Sequence, residues 1–217
     1  MSVLGYDHSN IFARILRKEV PATVRYENEN VLAIDDIHPK APVHVLFLPK
    51  GQFLDFDHFC HNALGKEILD FFRAIPKFVN HELSQQDSKC HELKNYTIKI
   101  NTVHAPEEKQ EVLHLHAHVL SGDHSVVSTA GNMHAVYREG VIHAVKGKGI
   151  VHIYSDLLLT GHEFLQKASD FELLEFIYAV QGVTSDCSVE MNAINLTIYS
   201  GERIQWKIAT KKNKSAA

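Results

Sequence analysis

The order of apolar segments between residues 24 and 118 recurs between residues 136 and 207, and this internal repeat constrains the fold more than any other feature of the chain. Val24-Arg25-Tyr26-Glu27 is answered by Val136-Tyr137-Arg138-Glu139, Leu32 by Ile142, and Val43-His44-Val45 by Val151-His152-Ile153. Ile68-Leu69-Asp70-Phe71-Phe72 is answered by Leu173-Leu174-Glu175-Phe176-Ile177, and Asn95-Tyr96-Thr97-Ile98 by Asn195-Leu196-Thr197-Ile198. The last match sets His114-Leu115-His116-Ala117-His118 against Arg203-Ile204-Gln205-Trp206-Lys207. The offset falls from 112 to 89 without reversing, as colinear copies with shortened connections require. Any two β-α-β-β segments share apolar spacing, but these matches include polar positions as well. Residues 1–122 then form one unit and 133–211 a second, joined through the Ser, Gly and Thr of 121–132.

Local patterns fill in the first unit. Asn10 can cap a short helix running to Lys18, with Ile11, Phe12, Ile15 and Leu16 on one apolar face and Pro21 as its stop. Residues 24–27 and 31–35 read as a hairpin, and 42–49 as a buried strand. Residues 57–83 read as one helix that Pro76 would kink. Residues 96–101 and 112–120 read as two more strands joined by a polar loop. The expected fold class is α+β, an antiparallel sheet with packed helices.

Bulk features narrow the function. Twenty-two Lys and Arg against 26 Asp and Glu leave a net charge of −4, which argues against nucleic acid as a partner. The first ten residues lack a basic start followed by an apolar core, and runs such as Val45-Leu46-Phe47-Leu48 are strand-sized. Neither a secretory signal nor a membrane span is expected. Cys60, Cys90 and Cys187 form no CxxC pair, which suits a reducing compartment and a cytoplasmic location.

Histidine is over-used, at 16 of 217 residues, and three of the 16 alternate at His114, His116 and His118. On a strand, alternation puts all three imidazoles on one face, with Leu115, Ala117 and Val119 on the other. Three chemistries fit. Neighbouring members stand about 6.6 Å apart and could share a metal, but the outer pair, about 13 Å apart, could not do so easily. A row of satisfied core histidines would desolvate three imidazoles together. A neutral imidazole can also attack phosphorus while its neighbours bind or protonate phosphoryl oxygens. That nucleophile needs its other ring nitrogen donating to a fixed acceptor.

His114-Leu115-His116-Ala117-His118-Val119-Leu120 resembles the signature of the histidine triad (HIT) superfamily. Asn10 to Ala22 resembles that family's N-terminal helix, and Asp35-Asp36-Ile37-His38-Pro39-Lys40-Ala41-Pro42-Val43-His44 resembles its Asp-Ile-x-Pro-x-Ala-Pro-x-His segment. The branch it looks most like is the nucleoside phosphoramidase and dinucleoside polyphosphate hydrolase group. The resemblance implies an enzyme that cleaves the α-phosphate bond of a purine nucleotide conjugate through a nucleotidyl-His116 intermediate. It also implies that His114 and His118 support the phosphate and the nucleophile's orientation, and that Asp36 accepts from ribose hydroxyls. Ile37, Phe12, Ile15 and Ile34 would form the base pocket. Asn101 and Gln110 would face the phosphate, and His44 would stand behind the triad. No cofactor is required, and a divalent cation would come only with a polyphosphate substrate.

The departures from the family pattern carry information too. Lys109-Gln110-Glu111 stands where relatives carry Gly-Gln-Ser or Gly-Gln-Thr, so an acid replaces a small hydroxyl near the leaving group. A nucleotide-binding regulator with little turnover is therefore the alternative, with nucleotidyl transfer as another. Asn10 and Ala13 occupy the positions of a Cys-x-x-Cys that holds zinc in some relatives, so no metal is expected there. Arg203, Gln205 and Lys207 replace the triad in the second unit, which is expected to bind no nucleotide. HIT proteins commonly dimerise. The second unit would then act as a built-in, degenerate partner in a monomeric pseudo-dimer; the alternative is a homodimer with an appended C-terminal unit.

Overall fold

The computed structural model describes residues 5–85, 90–103, 112–122, 134–139, 142–147, 150–155, 157, 159–188, 193–201 and 205–210. Helix α1 (Ile11–Leu16) starts at Asn10, whose Oδ1 accepts from the Ala13 amide at 2.8 Å. It is shorter than the sequence suggests. Lys18 takes a left-handed φ of 62°, so the chain turns before Pro21 is reached. Strands β1 (Val24–Glu27) and β2 (Val31–Asp35) form the expected hairpin. Asn28 shapes its turn by accepting from the amides of Asn30 and Val31, at 2.9 and 2.7 Å. Strand β3 (His44–Pro49) is buried at every position because both faces of the sheet are covered there. Val45 and Phe47 enter the main core, whereas Leu46 and Leu48 pack with Phe12, Leu32 and Ile34 beneath α1.

Two expectations need correction. The single helix over 57–83 is two helices, α2 (Phe56–Asn62) and α3 (Gly65–Ser84), separated by extended backbone at Ala63 and Leu64. Asp55 accepts from the His58 amide at 2.8 Å, and Glu67 accepts from the Leu64 amide at 2.8 Å. Each helix thus has its own carboxylate cap, which helical periodicity across the joint does not show. The strand expected over 112–120 begins only at Ala117. After a 3-10 turn (Cys90–Lys94) come β4 (Tyr96–Val103) and β5 (Ala117–Ser121), whose ladder starts at the Ile100–Ala117 pair. Ahead of it the Leu115 amide donates to the Phe53 carbonyl at 2.8 Å, which draws residues 114–116 out of the sheet.

The second part of the chain runs β6 (His134–Glu139), β7 (Ile142–Gly147), β8 (Ile150–Ser155), α4 (Gly161–Lys167), α5 (Asp170–Ser188), β9 (Ala193–Tyr199) and β10 (Gln205–Thr210). The ten strands among the described residues form one antiparallel sheet in the order β1-β2-β3-β5-β4-β9-β10-β8-β7-β6. Read inward from either edge, the sequence is the same: a hairpin, the third strand, the last strand, the fourth. Both hairpins carry a register irregularity at the matching place, between Val24 and Tyr26 and between Ala135 and Tyr137.

From there the cross-strand rows match. One runs Tyr26, Ala33, Phe47, Ala117, Ile100; the other runs Tyr137, Ala144, Ile153, Trp206, Ile198. Where β4 and β9 meet, the Ile98–Ile198 and Ile100–Leu196 pairs flank Lys99–Thr197. These rows set Lys207 at the position of His118, as the sequence suggests. They set His152, which pairs with Lys207, at the position of Leu46, which pairs with His118, and not at that of His44. The helices keep the sequence spacing: Asp55 and Thr160 cap α2 and α4, and Ala63 and Ala168 close them.

One apolar cluster runs through both parts. Leu173, Phe176, Ile177 and Val180 of α5 are fully buried in the same cluster as Phe71, Phe72 and Ile75 of α3. Polar ties reinforce it. Arg73 of α3 donates to the Ala168 carbonyl at 2.7 Å and to Asp170 at 2.8 Å, gripping the joint between α4 and α5. Asp57 of α2 accepts from Gln181 and Ser185 of α5, both at 2.7 Å. Among the described residues, no helix is long and apolar enough to cross a membrane.

Candidate active site

His118 pairs with Leu46 across the ladder, so it stands on the sheet face that α1 covers, opposite the main core. His116 and His118 face each other edge-on, with ring centroids 5.0 Å apart. Phe12 of α1 closes one side, 5.0 Å from the His116 ring and 6.1 Å from that of His114. The short helix places an aromatic wall beside the triad, because Phe12 sits on its buried face.

Tautomers follow from partners whose roles are unambiguous. The His114 carbonyl can only accept, and it lies 2.8 Å from His116 Nδ1, so that nitrogen carries the proton. The lone pair of His116 is then on Nε2. His44 is fixed in the same way. Its Nδ1 accepts from the Lys40 amide at 3.2 Å, leaving Nε2–H to donate to His118 Nδ1 at 2.9 Å. His118 therefore carries its own proton on Nε2 and is a donor there. His114 is the most enclosed of the four: it is fully buried, with Nε2–H donating to the Pro49 carbonyl at 3.0 Å and Nδ1 accepting from the Tyr6 hydroxyl at 2.5 Å.

Electrostatics keep these rings neutral. Burial pushes His116 below the ordinary imidazole value, with its bond to the His114 carbonyl opposing the shift. Burial pushes His114 down to about 4. Burial, then the neighbouring His116 and His44, push His118 to about 3. His44 is lowered by burial against the pull of Asp36. The Asp36 carboxylate lies 3.3 Å from His44 Nε2 and 3.7 Å from His118 Nδ1. One ligand atom from each of Asp36, His44 and His118 falls within 4.8 Å of the others.

The remaining expected residues are placed as follows. Ile34 is buried with Phe12, and Ile15 packs partly buried against them, so these three form a floor. Ile37 is 86% exposed and is not part of that floor. Asn101 is exposed on β4 and pairs in register with Asn195 of β9. Gln110, Glu111 and the rest of that loop lie outside the described residues, as do the 123–132 join and Arg203. Tyr6 is a site residue that the sequence did not flag. It lies ahead of the α1 cap and belongs to no motif or periodic run.

A family model described as the HIT domain matches residues 17–125. An uncharacterized 13.2 kDa HIT-like protein of Azospirillum brasilense is 39% identical over 117 residues, which cover 54% of this chain and 88% of its own. A 14 kDa zinc-binding protein of Zea mays is 36% identical over 120 residues, 54% of this chain and 84% of its own. The X-ray structure of a galt-like protein from Arabidopsis thaliana superposes with a TM-score of 0.62, covering 91% of this chain and 81% of that one. At 10% sequence identity that likeness is one of fold, and it extends over both parts of the sheet.

Proposed function

Because the chain belongs to the HIT domain family, we propose that it hydrolyses a purine nucleotide conjugate at the α-phosphorus through a nucleotidyl-His116 intermediate. The observation that carries this reading is the 2.8 Å bond from His116 Nδ1–H to the His114 carbonyl, which leaves Nε2 as a lone-pair donor. His116 Nε2 attacks phosphorus, a P–N bond forms, and the bond to the leaving group breaks as that group takes up a proton. His118 Nε2–H is a donor suited to a phosphoryl oxygen or to the leaving group. Water then attacks phosphorus, the P–N bond breaks, and a nucleoside monophosphate departs. Asp36 accepts from ribose hydroxyls, while exposed Ile37 closes on a base resting over Phe12, Ile15 and Ile34. Asn101 and Gln110 would meet the phosphate, and His44 holds His118 in its tautomer.

The test is to incubate the protein with adenosine phosphoramidate, diadenosine polyphosphates and nucleotide sugars, and to follow release of the nucleoside monophosphate across pH. His116 must be unprotonated to attack, and burial lowers its pKa, so activity is expected above that pKa and lost as pH falls through it. The acid limb should lie below about 6.5; a limb at or above it contradicts the assignment. No turnover on any substrate, with nucleotide binding retained, favours the regulator. A metal-binding reading comes second, since Asp36, His44 and His118 could converge on one cation and the maize relative is named as zinc-binding. Purified protein without stoichiometric zinc, and unaffected by chelator, removes it.

The same proposal assigns residues 133–211 as a degenerate second copy that replaces a partner subunit. Its support is the repeated strand order, the matching bulges and rows, and the paired helix caps. In the same register Gln205 takes the place of His116 and Lys207 that of His118, so the second copy has no histidine nucleophile. A monomer mass is expected by light scattering. An obligate dimer would overturn the built-in partner and favour a homodimer with an appended unit.

A further inference from the structure

Resting on the reading of His116 as the nucleophile, the geometry points to Tyr6 as a positioning residue that holds the nucleophile's hydrogen-bond acceptor in place. His116 is oriented by the His114 carbonyl, and residues 114–116 precede the β5 ladder. Among the described residues no strand pairing fixes that carbonyl. It is held by the Leu115 amide, which donates to the Phe53 carbonyl, and by the clamped ring of His114 itself.

The clamp has a definite polarity. The Pro49 carbonyl only accepts, so His114 Nε2 carries the proton, Nδ1 is a lone pair and the Tyr6 hydroxyl must donate to it. Tyr6 is buried, and its ring stands edge-on to His114 with centroids 5.7 Å apart. Burial raises the Tyr6 pKa, so the hydroxyl keeps its proton at neutral pH. The residues after it lead into α1, where Asn10 donates to the Asp7 carbonyl before capping the helix that carries Phe12. One short segment therefore sets both the aromatic wall and the triad's main chain.

Removing the hydroxyl would leave Nδ1 of a fully buried imidazole without a partner. The ring can then shift its proton or turn, and either change breaks its bond to Pro49 and moves the carbonyl that orients His116. Tyr6 does not touch the nucleotide in this scheme, so the loss is one of rate and not of affinity.

The experiment compares wild type and Tyr6→Phe by steady-state kinetics on adenosine phosphoramidate, by AMP binding, and by nitrogen-15 imidazole NMR of the full chain. The expected result is a kcat lower by about tenfold with KM and AMP affinity within about twofold. NMR should show wild-type His114 protonated on Nε2 and His116 on Nδ1, with His116 becoming a tautomer mixture in Tyr6→Phe. Unchanged kcat and an unchanged His116 spectrum overturn the inference. If neither protein turns over any substrate, the hydrolase reading fails separately and the His116 spectrum alone decides about Tyr6. If Tyr6→Phe does not fold, wild type decides: a His114 proton on Nε2 supports the clamp, and one on Nδ1 overturns it.

Discussion

Replacing His116 with alanine is expected to lower turnover by on the order of 10³-fold or more while leaving nucleoside monophosphate binding nearly intact. No other ring in the cluster can take over. His114 has both nitrogens engaged and is fully enclosed. His118 presents a proton on Nε2, because its Nδ1 accepts from His44. His44 spends its two nitrogens on the Lys40 amide and on His118. Binding should survive, because Asp36 and the floor of Phe12, Ile15 and Ile34 do not depend on the His116 ring for their place. Product release assays and calorimetry with AMP measure the two effects separately. Turnover retained in His116→Ala would mean that water attacks phosphorus directly.

The second large effect is on stability. Phe176→Ala should cost about 3–5 kcal/mol, as for other large aromatic truncations in a close-packed core. Phe176 is fully buried, and its ring lies 5.0 Å from that of Phe164. A loss of that size is a large share of the ~5–15 kcal/mol that holds an ordinary domain folded. The apolar cluster around Phe176 is continuous with Phe71 and Phe72 of the first part, and the sheet is continuous through β4 and β9. The variant should therefore unfold in one transition shifted to lower denaturant, with both parts melting together. Urea denaturation followed by circular dichroism reads this directly. Two separated transitions would show that the parts fold independently.

The legible parts of this chain were those governed by local chemistry. Asn10 announces a helix start because a short side-chain carbonyl can take up a free amide, and it does so with Ala13. The hairpin at 24–35 is readable because two β-prone runs flank an Asn that can shape the turn. The strand start at Ala117 was not readable, because histidine alternation looks the same whether or not a neighbour supplies ladder bonds. The break between α2 and α3 was hidden because the apolar period continues across two caps.

By itself the sequence determined the triad and its spacing and the α+β class, since these are written in residue type and period. The tertiary structure alone decided which imidazole nitrogen bears each proton. That assignment rests on the carbonyls of Pro49 and His114, the Lys40 amide and the Tyr6 hydroxyl, and two of them, Pro49 and Tyr6, lie far along the chain from the ring they fix. It also decided that β4 pairs with β9, joining the two parts into one sheet. Which edge finds which partner depends on the summed fit of a whole ladder and the core behind it, and no single residue carries that information.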